Sequence, residues 1–495
     1  MSISLEVMLQ LSIILPLLAT VAIAATGRNP NLREGVTIVT SLALLYCVIN
    51  LYFGLKAGAS ISVQWWAILP GLQLSFSIEP LGMILALIAS FLWLITTVYS
   101  IGYMRAHNEK NQTRFYICFA IAISSVMGIA FSGNLFTLFI FYEVLTLSTY
   151  PLVTHAGTEK AKKGGRVYLG ILLSTSIVFF LLAIVSTWFV AGTLEFTPGG
   201  VFDSSANKTV LAIILVLFIF GIGKAAIMPF HRWLPAAMVA PTPVSSLLHA
   251  VAVVKAGVFT VLKVCVYIFG IDLLKELPST QFLLYLAAAT VLLASLVAMR
   301  QDNLKARLAY STVSQLGYVT IGALLATSAG VIGGSLQIAM HAFGKITLFF
   351  CAGAILVATH KSKVSEMGGI GRQMPITMAA FFIASLSIIG LPPTGGTWSK
   401  WFLLMGTIDT AQWTVMVVLM LSSLLNIAYL LPIPYRAFFP GKEFLADNAG
   451  IKEAPPAALI ALSITAIGCL ILFVYPQPLY ELATAILEIP EINSP

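Results

Sequence analysis

Five ionisable side chains stand where ionisable side chains are costly. The stretch LFIFYEVLTLSTYP, Leu138 to Pro151, sets one carboxylate, Glu143, among apolar residues. Lys224 in GIGKAAIMPFHRWLP, Lys255 in SSLLHAVAVVKAGVF, Lys345 in HAFGKITLFF and Lys400 in GLPPTGGTWSKWF are single amines in the same kind of setting. A charge at the centre of a membrane-spanning helix costs roughly 3 kcal/mol on insertion scales, so the five together represent on the order of 15 kcal/mol to be offset. Such groups must face a bundle interior. Desolvation disfavours the charged form of acid and amine alike, which brings both toward the range where they exchange protons. The chemistry implied is a proton relay. The alternative is a set of interior ion pairs that only fix packing.

Histidines extend the pattern. His341 and Lys345 are four positions apart, on one helical face, where an imidazole can pass a proton to an amine directly or through water. His249 and Lys255 are six apart and so on different faces, each free to meet a neighbouring helix. His249 reads equally as a hydrogen-bonded packing residue. His231 follows Pro229 beside Arg232, where it could gate access or merely cap a helix. His107, His155 and His360 lie near loops and carry no chemical expectation.

The elements that must position these groups are membrane helices. The chain has 495 residues, 59% of them hydrophobic and 9% charged, with a mean hydropathy of +0.96. No soluble core absorbs that much apolar surface, and runs of about 20 residues, enough to cross a bilayer, recur throughout. Polar and Gly/Pro breaks give about fourteen spans, beginning near Leu5, Gly35, Pro80, Phe115, Leu135, Val167, Val210, Thr242, Gln281, Leu308, Val331, Pro375, Gln412 and Pro456. The first, Leu5 to Ala25, lacks a positive leading region and is expected to be retained.

Of the 27 Lys and Arg residues, 19 fall in alternate loops, four (Lys56, Lys208, Lys263 and Lys275) at or near the opposite face, and the four relay lysines inside spans. That bias places both termini outside the cytoplasm of a cell (inner or plasma) membrane. The net charge of +8 is topogenic and no nucleic-acid partner is expected. Between the second and third spans, SVQWWAILPGLQLSFSIEP alternates around Pro70 and Gly71, predicting an outer-face hairpin anchored by Trp65 and Trp66. The acidic tail YELATAILEI predicts a short outer-surface helix.

Two spans should be broken. Lys224 precedes Pro229 and Pro235, and each proline removes a backbone donor and frees carbonyls one turn back. Pro392, Pro393, Gly395 and Gly396 interrupt a second span just before Lys400. Interrupted helices expose polar backbone where it lines a cavity, and two of them far apart in sequence point to an internally repeated transporter. The five cysteines, Cys47, Cys118, Cys265, Cys351 and Cys469, lie in apolar runs without C-x-x-C spacing. No metal site and no cofactor is expected, since no H-x-x-x-H spacing and no nucleotide-binding glycine motif is present.

The segments FYEVLTLSTYPLV, GKAAIMPFHRWLPAAMVAPTPVSSLLHAVAVVKAGVF, LKARLAYSTVSQLGY, HAFGKITLFFCAGA and GLPPTGGTWSKWF resemble motifs of the proton-conducting antiporter-like family. That family comprises antiporter-like subunits of respiratory complex I, Mrp-type multisubunit sodium/proton antiporters and membrane-bound hydrogenases. The likeness runs from about Glu79 to Trp401. It implies an all-α polytopic fold of about fourteen helices with two inverted five-helix repeats. The chain then divides into N-terminal helices and hairpin (1–110), a first half-channel (111–272), a second half-channel (273–440) and a last helix with acidic tail (441–495).

By this resemblance Glu143 and Lys224 form the interacting pair of the first half. Lys255 with His249 bridges to the centre, His341 and Lys345 form the central relay, and Lys400 exchanges ions in the second half. Separating Glu143 from Lys224 would remove the charge that stabilises the ammonium and send its proton inward. Lys400 leans the match away from the complex I subunit type that has a glutamate there, and HAFGK and TWSKW lean toward the largest subunit type, whereas the compact length favours a D-like Mrp subunit exchanging H⁺ against Na⁺. A redox-driven complex, an inorganic-carbon uptake system and a non-conducting scaffold are the alternatives. In each case the partners are other membrane subunits.

Overall fold

The computed structural model describes residues 3–69, 72–203, 205–440 and 450–488. Among them eleven helices are long and apolar enough to cross a membrane, from Leu5–Ala25 to Pro456–Val474. Two shorter apolar helices, Lys208–Gly221 and Pro375–Ile389, stand at the two expected interruptions. Leu304–Leu324 has a span's length but a more polar composition, because it carries Ser311, Ser314, Gln315 and Tyr318. These segments follow the expected runs in order, so the chain is an all-α polytopic membrane protein.

Helix starts are set by caps written in the sequence. Asn29, Asn134, Asn207 and Asn303 each accept a backbone N–H of the following first turn, as do Thr158 and Thr327. Each satisfies a donor that the helix itself leaves orphaned, which at membrane depth has no water to turn to.

Packing sorts the helices into a centre and a ring. The span Thr242–Phe269 is buried along its whole apolar window, and Ser328–Thr359 and Pro80–Ala106 along 78% of theirs. Glu159–Ala191, Pro30–Lys56 and Trp413–Phe438 are buried along only 33%. They turn side chains such as Phe53, Phe189 and Leu424 outward. A helix apolar all round belongs in a core or against lipid, and this bundle uses both.

Both interruptions fall where the prolines and glycines put them. Lys208–Gly221 stops, Gly223–Ala225 forms a single tight turn, and helix resumes only at Trp233–Ala236. Pro229 and His231 lie in the gap, and Pro235 in the short helix beyond it. The Trp233 indole N–H donates to the freed Gly223 carbonyl at 2.9 Å. The second break begins at Gly390, whose φ of +87° ends Pro375–Ile389 in a left-handed cap. Pro392 and Pro393 follow, and Gly396–Asp409 resumes the helix.

The hairpin strands Ser62–Leu69 and Leu72–Ser77 pair antiparallel with Ser62 opposite Ser77. Pro70 and Gly71 lie outside the described residues. Trp65 contacts Phe76 with ring centroids 4.6 Å apart and stays partly exposed, while Trp66 is more exposed still. The tail helix is Gln477–Ala485, tied down by Glu481 to Lys56 at 3.1 Å. Ile489, the last residue of the predicted tail helix, falls outside the described residues, as does Lys442.

Two lysines differ from their expected positions. Lys263, counted with the face, is wholly buried inside Thr242–Phe269. Lys305, counted with the loops, is half-buried in the first turn of Leu304–Leu324 and donates to the Ala240 carbonyl at 2.5 Å. In both cases a charge near the end of an apolar run found a partner across the bundle, which loop counting does not see.

Candidate functional site

The first helix to matter is Leu135–Val153, which carries Tyr142, Glu143 and Thr146. Lys224, in the unwound turn of the interrupted span, points its amine at the Tyr142–Thr146 face of this helix. Its Nζ donates to the Tyr142 carbonyl at 2.8 Å and to the Thr146 hydroxyl at 2.5 Å. It also lies 3.1 Å from the Tyr142 ring centroid. The backbone N–H of Lys224 donates to the Tyr142 hydroxyl at 3.2 Å.

Glu143 is one residue, or about 100°, further round. It forms no ion pair among the described residues, and both its oxygens are buried without a hydrogen-bond partner. The expected pair is thus brought near but not into contact.

What lets Lys224 sit there is glycine. A methyl group on Gly257 of the central span would stand 2.3 Å from the Lys224 carbonyl carbon and 2.4 Å from the Ala225 nitrogen. Both are backbone atoms that cannot swing aside. Gly257→Ala is therefore expected to lower the stability of the assembled protein by about 3 kcal/mol and to misplace Lys224. A thermal-unfolding series monitored by size exclusion checks this, and an unchanged midpoint would show that the unwound turn yields freely.

The centre is assembled from two helices. Lys255 Nζ meets His341 Nδ1 at 2.5 Å, both side chains being buried. His341 Nε2 has no partner in the structure. Sequence spacing put His341 with Lys345, but Lys345 donates to Ser311 at 2.6 Å. The Tyr429 hydroxyl also lies 2.9 Å from Ser311 and within hydrogen-bond reach of Asn426, its single proton serving one of them at a time.

His249 lies in a π-helical stretch, Leu247–Val251, with both ring nitrogens buried and unpartnered and its ring 4.8 Å from Phe349. It makes no hydrogen bond to Lys255.

The second interrupted span delivers Lys400. Its Nζ donates to the Ile389 carbonyl, the last of the broken helix, at 2.9 Å, and to Ser423 at 2.9 Å. The aliphatic stem passes over Gly390, where a Cβ would meet Lys400 Cδ at 2.5 Å. Beside it a cavity of about 300 Å³ is lined by Tyr318, Leu404 and Ser423. In both interrupted spans, then, an amine is held by a helix carbonyl and a hydroxyl. His231 is half-buried, 6.4 Å from the Tyr310 ring, with an unpartnered Nδ1.

Sequence reasoning passed over the neutral groups that connect these amines. Ser311, Gln315 and Tyr318 lie on one face of Leu304–Leu324. Gln315 accepts from Gln337 at 2.8 Å, and Gln337 accepts from Ser399 at 2.6 Å. The signal was present as polar residues at spacings of three and four inside apolar runs. Among the described residues no group of three or more His, Cys, Asp or Glu side chains could hold a metal ion.

Buried amines strung across a helical bundle, two of them beside broken spans, define an antiporter-like, proton-translocating membrane subunit of the kind found in complex I-like and Mrp assemblies. The chain belongs to the family described as NADH:quinone oxidoreductase/Mrp antiporter, TM, whose profile matches residues 132–426. Residues 66–116 match a second profile, NADH-Ubiquinone oxidoreductase (complex I), chain 5 N-terminus. NADH-quinone oxidoreductase subunit N of Desulforudis audaxviator is 31% identical over 81% of this chain and 82% of its own length. NAD(P)H-quinone oxidoreductase chain 5 of a Picosynechococcus is 31% identical over 66% of this chain, which spans only 50% of that longer relative.

Two solved structures share the fold. A chain of the Mrp complex from a Dietzia species superposes with a TM-score of 0.85 at 22% identity, covering 98% of this chain and 97% of its own. A chain of the archaeal membrane-bound sulfane sulfur reductase, a respiratory membrane complex, gives 0.86 at 23%, with 98% of each covered.

Proposed function

We propose that this chain moves H⁺ through Glu143, Lys224, His249, Lys255, His341, Lys345 and Lys400 as one subunit of a multisubunit monovalent cation (Na⁺)/proton antiporter. The observation that carries the proton route is that all four amines are buried in the bundle interior, none facing lipid, with only Lys400 exposed at all, at 8%. Amines so placed are functional by default, because a purely structural role would be filled at lower cost by apolar residues. Pro229, His231, Pro235, Pro392 and Pro393 shape the two breaks that present Lys224 and Lys400, and residues 111–272 and 273–440 act as the two half-channels.

The sodium assignment rests on the family, whose description includes the Mrp antiporters. One observation favours a second reading: the relatives matched by sequence are named as quinone oxidoreductase subunits, so the proton movement would be driven by redox chemistry in other chains. In either case the partners are further membrane subunits, and the chain lies in the cell membrane with both termini outside the cytoplasm.

The purified complex in sealed vesicles separates the two. An imposed Na⁺ gradient is expected to change the internal pH, read with an entrapped dye. A pH change that appears only on adding a quinone reductant would replace the sodium reading by the redox one.

A further inference from the structure

Beyond the row of amines, the bundle encloses a further lysine, Lys263. Lys263 lies eight residues after Lys255 on the same central span, about 12 Å further along the helix axis. Its Nζ pairs with Glu79 Oε1 at 2.6 Å and donates to the Ser132 carbonyl at 2.7 Å. The Phe196 ring lies 4.3 Å from the amine. Lys263 is fully enclosed, whereas the Glu79 side chain retains 14% of its exposure.

That residual exposure opens into a cavity of about 830 Å³ on the face that carries the hairpin. Glu79 and Tyr267 line it from within. Ser60, Lys56 and Glu481 line it from the tail-helix side, the last two joined as an exposed ion pair. The geometry therefore runs from the interior (Lys255 with His341) along one helix to Lys263, across a short contact to Glu79, and into open space. Helix, ion pair and cavity are three separate observations pointing to one place.

We infer that Glu79 and Lys263 form a terminal proton-exchange station through which protons pass between the buried row and the aqueous cavity on the hairpin face. In the outward step the Lys263 ammonium gives its proton to the Glu79 carboxylate, leaving a neutral amine and a neutral acid. The acid releases the proton to cavity water as hydronium and becomes carboxylate again, and the amine takes its next proton from the Lys255 side. Atoms and charge balance without any further reactant. This inference rests on the proton-relay reading above.

The experiment uses the intact complex in vesicles, driven by whichever source moves protons in the wild type. Glu79→Gln removes the titrating oxygen while keeping the shape, and is expected to slow proton movement by about a hundredfold. Because Glu79→Gln also unpairs the buried Lys263 and so bears on folding, a second probe leaves the pair untouched. Ser60→Cys, at the exposed wall of the cavity, is treated with a bulky cationic thiol reagent. The five native cysteines are all buried, so the reagent is directed to this site. The labelled protein is expected to lose most of the rate of the same protein unlabelled.

If Lys224→Ala stops transport while both Glu79→Gln and fully labelled Ser60→Cys run at wild-type rate, the station is overturned and the relay stands. If Lys224→Ala also runs normally, the relay reading itself fails. A Glu79→Gln protein that keeps its proton rate but needs more Na⁺ would make the site a cation site and overturn the inference equally.

Discussion

Replacing Lys224 by alanine is expected to slow proton movement by about a hundredfold or more, with the complex still assembled. The amine is held by the Tyr142 carbonyl and the Thr146 hydroxyl, neither of which carries charge. The neighbouring carboxylate on that helix is Glu143, whose buried oxygens have no hydrogen-bond partner among the described residues. A buried carboxylate left in that condition is expensive, so the geometry is that of a pair poised apart rather than one locked together. On the proposed relay, closing the pair would stabilise the charged amine and opening it would send the proton on. Glu143→Gln should therefore reproduce most of the loss. Rates within twofold of the wild type for Lys224→Ala, in a complex of normal size, would reduce this site to packing.

The second large effect is expected at the centre. Lys255 and His341 meet at 2.5 Å across two helices, and neither has another hydrogen-bond partner among the described residues. Groups that hand a proton to each other act as a unit. Lys255→Ala and His341→Ala should each cost about a hundredfold, and the double variant no more than the worse single one. Multiplying losses in the double variant would mean that the two residues serve separate routes. Lys361→Ala, in a loop on the basic face, provides a reference.

Much of this was legible from the chain alone, for stated physical reasons. A lone charge in an apolar run has few places to go, so Glu143 and the four amines announced themselves. Polar and Gly/Pro breaks between apolar runs marked where helices begin and end, and prolines 229, 235, 392 and 393 marked where two of them break. What could not be read was pairing across the bundle. His341 was placed with Lys345 because helical spacing is visible in sequence, whereas its contact with Lys255 spans 86 positions. Lys263 looked like a surface residue because its partner, Glu79, lies in a different segment at the mouth of another helix. The serines and Gln315 of Leu304–Leu324 were visible at helical spacing, but neutral groups draw no attention until the amine they hold is seen.

The wholly buried span Thr242–Phe269 has a consequence for how the protein is made. It carries His249, Lys255 and Lys263, yet no part of its apolar window touches lipid. Its anchors arrive from both directions: Glu79 is synthesised long before it, His341 well after. During translation this segment must wait beside the insertion machinery, or against earlier helices, until Ser328–Thr359 emerges to receive Lys255. A ribosome stalled between Phe269 and His341 would leave an amine stranded in the bilayer, and quality-control proteases would meet that intermediate first.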